Sequence, residues 1–302
     1  MTAAPQQPSH GGRPVLAIGI VLASVFMFAV SDVIAKDLLS RYPVAVVQML
    51  RYLASLLLLI LFVLPMQRGR LWQTQRTGLV LIRALVLTAA SLTMGFALQL
   101  MPVGETIAIL YLAPIGVMVL AVPIFGEKVS ALGWFMAALG LSGALMIIRP
   151  GGALDPTGVV FALLNAGCAT VFHLMTRSLS RTEYPLALLF WVTITGAVSF
   201  VVLAVPVLPA TDLATRDVMS AAMLGVLATA GHFLLSLAYR EAPAAIVAPA
   251  NYFHLVWAAL LGLIVFDYLP DALTLAGMAL VFLSGIGSAL ASGIVVKKQT
   301  KI

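Results

Sequence analysis

The stretch YLAPIGVMVLAVPIFGEK at residues 111–128, followed by GWFMAALGLSGALMI at 133–147, decides how the rest of the chain is read. Each piece is an apolar run, and the break between them holds Gly126, Glu127 and Lys128. A bilayer core about 30 Å thick is crossed by roughly 20 mainly apolar residues in a helix. Taken back to Val103, the first run reaches that length, and so does the second over 130–149.

Reading outward for similar runs gives about ten spans: 15–37, 43–65, 78–100, 103–125, 130–149, 156–178, 185–207, 217–240, 243–266 and 270–292. Residues 1–14 and 293–302 are read as cytosolic tails, and no connection is long enough for a soluble domain. Hydrophobic residues make up 62% of the 302 and charged residues 9%, with a mean hydropathy of +1.10. A soluble domain carries about 25% charged residues, so lipid must be the outer solvent. The run from Val15 to Ile34 is too long for a signal-peptide core and is read as the first membrane helix. A single cysteine, Cys168, excludes a disulfide framework and a thiolate zinc cluster.

The net charge of +6 is spread over short loops, which speaks of topology rather than of nucleic acid. If both termini share one side, that side holds 11 Lys and Arg against 4 on the other, with Arg51 and Arg83 inside spans. Positive residues favour the cytoplasm, so both termini are expected there.

Sliding the chain on itself by 141 residues pairs Lys36 with Arg177, Thr88 with Thr229, Pro102 with Pro243, Tyr111 with Tyr252 and Phe125 with Phe266. One further residue then pairs Ser142-Gly143 with Ser284-Gly285. The offset covers five spans, an odd number, so the second copy enters the membrane from the opposite face. The expected fold is all-α and polytopic: ten transmembrane helices as two inverted five-helix repeats, 15–149 and 156–292. Inverted repeats build carriers whose site lies between the halves near the bilayer midplane.

The stretch quoted first, with its proline in helix 4, the Gly126-Glu127 end and the Gly-rich helix after it, resembles the EamA branch of the drug/metabolite transporter superfamily. The likeness covers nearly the whole chain, and within the superfamily it is most similar to aromatic amino-acid exporters of the YddG type. It implies a central cavity lined by helices 1 to 4 and 6 to 9, with helices 5 and 10 peripheral. The second copy departs from the pattern, since Phe266-Asp267-Tyr268 stands where the first has Phe-Gly-Glu. A gating role for Glu127 would therefore belong to the first half alone.

A charge near the centre of a membrane helix costs roughly 2.5–3.5 kcal/mol on translocon scales, so it should face a cavity or a partner. Asp32 either pairs with Lys36 four residues on or couples transport to protons. Glu105 marks the outer mouth or a helix start, where negative charge suits the dipole. Arg51 either meets a carboxylate across the bundle or snorkels, and Arg83 lies close enough to the cytosol for a solvated head.

Most neutral polar residues in the spans need only an interhelical hydrogen bond worth about 0.6 kcal/mol. Helix 9 differs. Pro249 cannot bond the Ala245 carbonyl, so a kink is expected there. Asn251, Tyr252 and His254 follow at mid-membrane depth. Pro114 breaks helix 4 in a similar way, although Pro249 aligns with Ala108 rather than with Pro114. His232 and Ser91 occupy equivalent positions, and a neutral imidazole there either binds a carboxylate, carries a proton, or bonds a nearby carbonyl. The small residues Gly133, Ala137, Gly140 and Ala144 of helix 5, like Gly285 and Ala289 of helix 10, are explained by close packing.

The expectation is a monomeric carrier in a bacterial-type inner membrane, working by alternating access and binding no nucleic acid. Tyr111, Tyr252, His254 and Trp257 would meet an apolar or aromatic part of the substrate, while Ser91, His232 and Asn251 would hold its ammonium and carboxylate ends. Asp32, Glu105, Glu127, Pro114 and Pro249 are the candidates for coupling or gating. Amino acids with aromatic or large neutral side chains follow from the resemblance; drugs or cationic metabolites are the alternative within the class. An intramembrane enzyme or a passive channel are the alternatives outside it. No cofactor is expected: the sequence has no phosphate-cradling Gly-Lys motif and no His-Glu-x-x-His.

Overall fold

The computed structural model describes residues 14–67, 70–126, 129–149, 154–179, 182–241, 247 and 250–299. Among these every regular element is helical. The helices are α1 (Pro14–Leu39), α2 (Val44–Leu58, continued by a π turn at Leu59–Val63), α3 (Thr77–Leu100), α4 (Val103–Leu110 and Ala113–Phe125) and α5 (Ala131–Ile148). They continue as α6 (Pro156–Leu179), α7 (Pro185–Ala204), α8 (Thr215–Glu241), α9 (Phe253–Phe266) and α10 (Ala272–Gln299). Eight are long and apolar enough to cross a membrane, and Phe253–Phe266 and Ala272–Ser288 are shorter apolar helices. Residues 293–299 continue α10 as helix.

Starts and stops follow local chemistry. Pro14, Pro156 and Pro185 each open a helix, where a missing amide costs nothing. Ser130 Oγ accepts the Gly133 amide at 3.1 Å, and Asp155 and Asp271 accept those of Gly158 and Thr274, each at 2.9 Å. Gly126 ends α4 at φ 67° and Asp267 ends α9 at φ 51°. These positions are 141 residues apart, so the left-handed cap survives in the second copy although its glycine does not.

Large apolar side chains such as Leu57, Phe62, Phe135, Val198, Phe233 and Ile264 point outward, as a lipid solvent requires. Inside, α1 packs on α8 and α3 on α6; α2 packs on α8 and α3 on α7; α1 packs on α9 and α4 on α6. Each pair becomes the other when every helix is exchanged for the one five places along. α5 and α10 pack chiefly on each other. A Cβ on Gly143 would lie 2.6 Å from the Gly277 carbonyl oxygen, so only glycine allows that approach.

Two hydrogen bonds repeat this exchange in register. Ser24 Oγ of α1 donates to the Gly231 carbonyl of α8 at 2.7 Å, and Asn165 Nδ2 of α6 donates to the Ala90 carbonyl of α3 at 2.6 Å. Asn165 stands 141 residues after Ser24, and Gly231 stands 141 after Ala90.

The largest apolar cluster joins both copies at the end of the bundle away from Pro14. It includes Leu38, Val47, Leu98, Ile107, Leu224, Leu255 and Met278. At this far end Arg41 and Tyr42 hold Asp217, at 2.8 and 2.6 Å. Arg149 forms a two-point ion pair with Asp271, and Tyr268 donates to Glu105 at 2.8 Å. At the terminal end the described apolar contacts fall into separate groups, one of Val21, Ala238 and Val247, the other of Val80, Leu179 and Leu188.

Candidate functional site

The site is built on two interrupted helices. Pro114 leaves the Leu110 carbonyl without an intrahelical donor, and α4 breaks at Tyr111 and Leu112, with Leu112 N–H turning to the Ile109 carbonyl at 3.0 Å. In the second copy the break falls at Tyr252, where Leu255 N–H turns to the Tyr252 carbonyl at 3.1 Å. That releases the Asn251 carbonyl from its intrahelical donor, and Tyr111 Oη donates to it at 2.7 Å. The prolines are not equivalent, but the breaks are, since Tyr111 and Tyr252 pair under the 141 offset. Their rings meet with centroids 4.7 Å apart. Equivalent residues of the two copies thus touch.

Against this aromatic pair stands Asp32 of α1, whose Oδ2 is 2.9 Å from Nε2 of His254 on α9. Asp32 therefore takes His254 as its partner, and Lys36 reaches instead to the Gln99 carbonyl at 3.3 Å. The ring of Phe28, one turn before Asp32, lies 6.2 Å from His254 and 4.9 Å from His232. His232 itself is exposed.

A second polar group lies toward α2 and α3. Ser91 Oγ is 2.7 Å from Tyr52 Oη and accepts from Arg51 Nη2 at 3.1 Å, while Gln48 Nε2 donates to the Ser91 carbonyl at 2.9 Å. The Ser91 hydroxyl is thus occupied by its neighbours. Arg51 lies over the Tyr52 ring at 4.7 Å, and among the described residues its buried Nε has no hydrogen-bond partner.

Asp32, Tyr111, Asn251, Tyr252 and His254 therefore come together, with His232 joined to them through Phe28. Trp257 is set aside against Phe26, at 5.2 Å. Glu105 is only 1% exposed and lies at the far end, bonded to Tyr268. It lines a cavity of about 310 Å³ with Lys36, Gly262 and Pro270, away from the aromatic pair. Pro114 is exposed on the outside of the bundle and acts only through the break it makes. Glu127 and Pro249 lie outside the described residues. Arg83 has no solvated head: it is 6% exposed, donates to Thr176 at 2.7 Å and to the Leu188 carbonyl at 3.3 Å, and lies over the Phe172 ring. Its reach inward, across α6 and α7, overrides its nearness to the helix end.

Sequence reasoning missed Phe28 and Tyr52. Phe28 carried a usable signal, since it stands four residues before Asp32 on the same helix face. Outside the spans, the Arg149 guanidinium, then the Thr274 amide, hold the Asp271 carboxyl well below the usual carboxylate range. Burial, then the Glu105 carboxylate, push the Tyr268 phenol up.

The sequence profile of the EamA-like transporter family matches residues 15–149 and again 156–290. The chain belongs to that family. It is a membrane transporter of the drug/metabolite superfamily, multi-pass and of bacterial type, and not an enzyme. It is similar to the pseudopaline exporter CntI of Pseudomonas aeruginosa, 25% identical over 283 residues, or 90% of this chain and 95% of that protein. It is also similar to an S-adenosylmethionine uptake transporter of Rickettsia bellii, 24% identical over 88% of this chain and 90% of that one. A chain of known crystal structure shares the fold, with a TM-score of 0.64 at 16% identity over 94% of this chain and 99% of the other.

Proposed function

We propose that this EamA-family transporter exports amino acids and amino-acid derivatives, those with aromatic or large neutral side chains first, by alternating access between two inverted five-helix repeats. The observation that carries the reading is the meeting of Asp32, His254 and the Tyr111–Tyr252 pair where the two copies adjoin. Asp32 suits an ammonium group and the tyrosine rings an apolar side chain. Arg51, whose Nε is unpartnered, takes the carboxylate in place of Ser91. The inverted relation is supported by the exchanged helix pairs and by the reciprocal Ser24–Gly231 and Asn165–Ala90 bonds. S-adenosylmethionine, transported by one similar protein, is itself an amino-acid derivative.

With both termini cytoplasmic, as the Lys and Arg distribution favours, the apolar cluster and ion pairs of the far end close the outer side. The bundle is then poised to open inward. A second reading, export of drugs or cationic metabolites, is favoured by the enclosed carboxylate of Asp32, whose side chain is 19% exposed.

Counterflow in proteoliposomes decides between them. Vesicles loaded in turn with tryptophan, phenylalanine, threonine, a nucleoside and a quaternary amine are diluted into labelled solute. Overshoot with tryptophan and phenylalanine is the expected result, overshoot with the quaternary amine alone supports the second reading, and none with any solute overturns both.

A further inference from the structure

We infer that the far end of the bundle holds a second binding site, separate from the Asp32–His254 pair, for a small zwitterion with a primary ammonium and an anionic oxygen group. That chemistry belongs alike to a free amino acid and to an ethanolamine-phosphate lipid head. The inference goes beyond the substrate reading above and does not rest on it.

The site is the cavity of about 310 Å³ beside the α3–α4 junction, at the low end of the range that small-molecule clefts occupy. α1 brings Lys36 to its wall, α4 brings Glu105, and the chain after α9 brings Tyr268. Lys36 Nζ donates to the Gln99 carbonyl at 3.3 Å, a long bond that leaves other donors of the ammonium over. Glu105 is 1% exposed and accepts the Tyr268 hydroxyl on Oε1 at 2.8 Å. Among the described residues its Oε2 has no hydrogen-bond partner.

Lys36 and Glu105 line one cavity, yet they do not pair with each other or with any other charge among the described residues. A lone charge at the edge of hydrocarbon is costly, and so is a buried carboxylate oxygen without a donor. A simple cation would satisfy Glu105 and be repelled by Lys36, and a simple anion would do the reverse. A dipolar molecule laid between them answers both and adds no net charge. Its positive end must carry N–H groups to serve a carboxylate oxygen, which a quaternary ammonium lacks.

The wall leaves room for such an occupant. Gly262 of α9 is buried, yet a Cβ built on it would meet nothing within 4 Å. Leu100 and Phe266, also on the wall, are exposed at the bundle surface and suit the apolar part of the molecule.

The test is calorimetric titration of the whole delipidated protein held in amphipol. The probes are dihexanoyl phosphatidylethanolamine, the matching choline and glycerol lipids, free threonine and free tryptophan. A lipid source is shown if the ethanolamine lipid binds about tenfold or more tightly than the other two lipids, and a solute source if an amino acid does so. Gly262→Leu, which fills the cavity, and Lys36→Gln should each weaken that binding about tenfold or more, while Asp32→Asn should leave it in place. Monodispersity and the melting temperature show whether each variant is folded, and if both fail the wild-type discrimination between ethanolamine and choline heads decides. Equal binding of the three lipids, with no binding of either amino acid, would overturn the site. Binding lost in Asp32→Asn but kept in folded Gly262→Leu would move the ligand to the central pair and overturn it too. Because binding is read without transport, a failure of counterflow leaves this result untouched.

Discussion

At the scale of single residues, the two left-handed caps show what a position demands whatever residue fills it. Gly126 and Asp267 end their helices with φ of 67° and 51° at equivalent places. For a residue with a Cβ the left-handed region costs about 1–2 kcal/mol, less for Asp, whose short polar side chain tolerates it. Gly126→Ala is therefore expected to lower stability by about 1 kcal/mol. Asp267→Gly should cost nothing, or raise stability by about 0.5 kcal/mol. Melting temperatures of the purified protein in detergent check both, and equal losses in the two variants would contradict this account. Asp32 and Arg83 teach a different lesson. Each has a plausible local partner, solvent for Arg83 and Lys36 for Asp32, and each takes a distant one.

At the scale of elements, contact between small residues sets how closely helices approach, because lipid is as apolar as any leucine and apolar burial alone favours no particular neighbour. The α5–α10 pair is the clearest instance: Gly143 meets the Gly277 backbone, and Gly140 faces Ser284, which donates to the Met136 carbonyl at 2.5 Å. Gly143→Val would force these backbones apart, at a cost of about 1–3 kcal/mol. Since the pair stands beside the central helices, thermal stability should fall while substrate affinity in counterflow changes little. A large change in affinity at unaltered stability would show that α5 and α10 take part in binding. The interrupted helices α4 and α9 make the opposite use of backbone. Their breaks free main-chain carbonyls, and that of Asn251 accepts the Tyr111 hydroxyl from the other copy.

At the scale of the molecule, the far end is fastened by contacts that any opening at that end must release, and one of them has a clear pH signature. Arg149 holds Asp271 ionised well below the usual carboxylate range. A carboxyl so depressed in the folded state stabilises the fold in full above its unfolded value, and the contribution falls away as pH drops from there through the folded value. The Arg149–Asp271 pair thus persists through mild acid. In Arg149→Gln the carboxyl should titrate nearer its ordinary value of about 4, so its contribution is missing at neutral pH. The variant should therefore melt below wild type at about pH 6–7, and the gap should narrow as pH falls below about 4 while the wild type gives the contribution up. Melting curves taken from about pH 3 to 7 measure this, and a gap that stays constant with pH would remove the pair from the fastening.

The amino-acid sequence by itself determined the solvent, the run of helices and the register between copies. Each of these is written in consecutive residues: apolar runs of membrane length, the breaks at Gly126 and Asp267, and the recurrence of Tyr111 as Tyr252. It also marked the ninth span, through Asn251, Tyr252 and His254. What only the tertiary structure decided is which side chain each charge meets. Asp32 and His254 are 222 residues apart, and Glu105 and Tyr268 are 163 apart. Hydropathy sets that a helix crosses the bilayer but not how it is rotated about its axis. Rotation is fixed where helices touch, by glycines, serines and freed carbonyls on neighbouring chain segments, and it turned Asp32 toward His254 and Arg83 away from water.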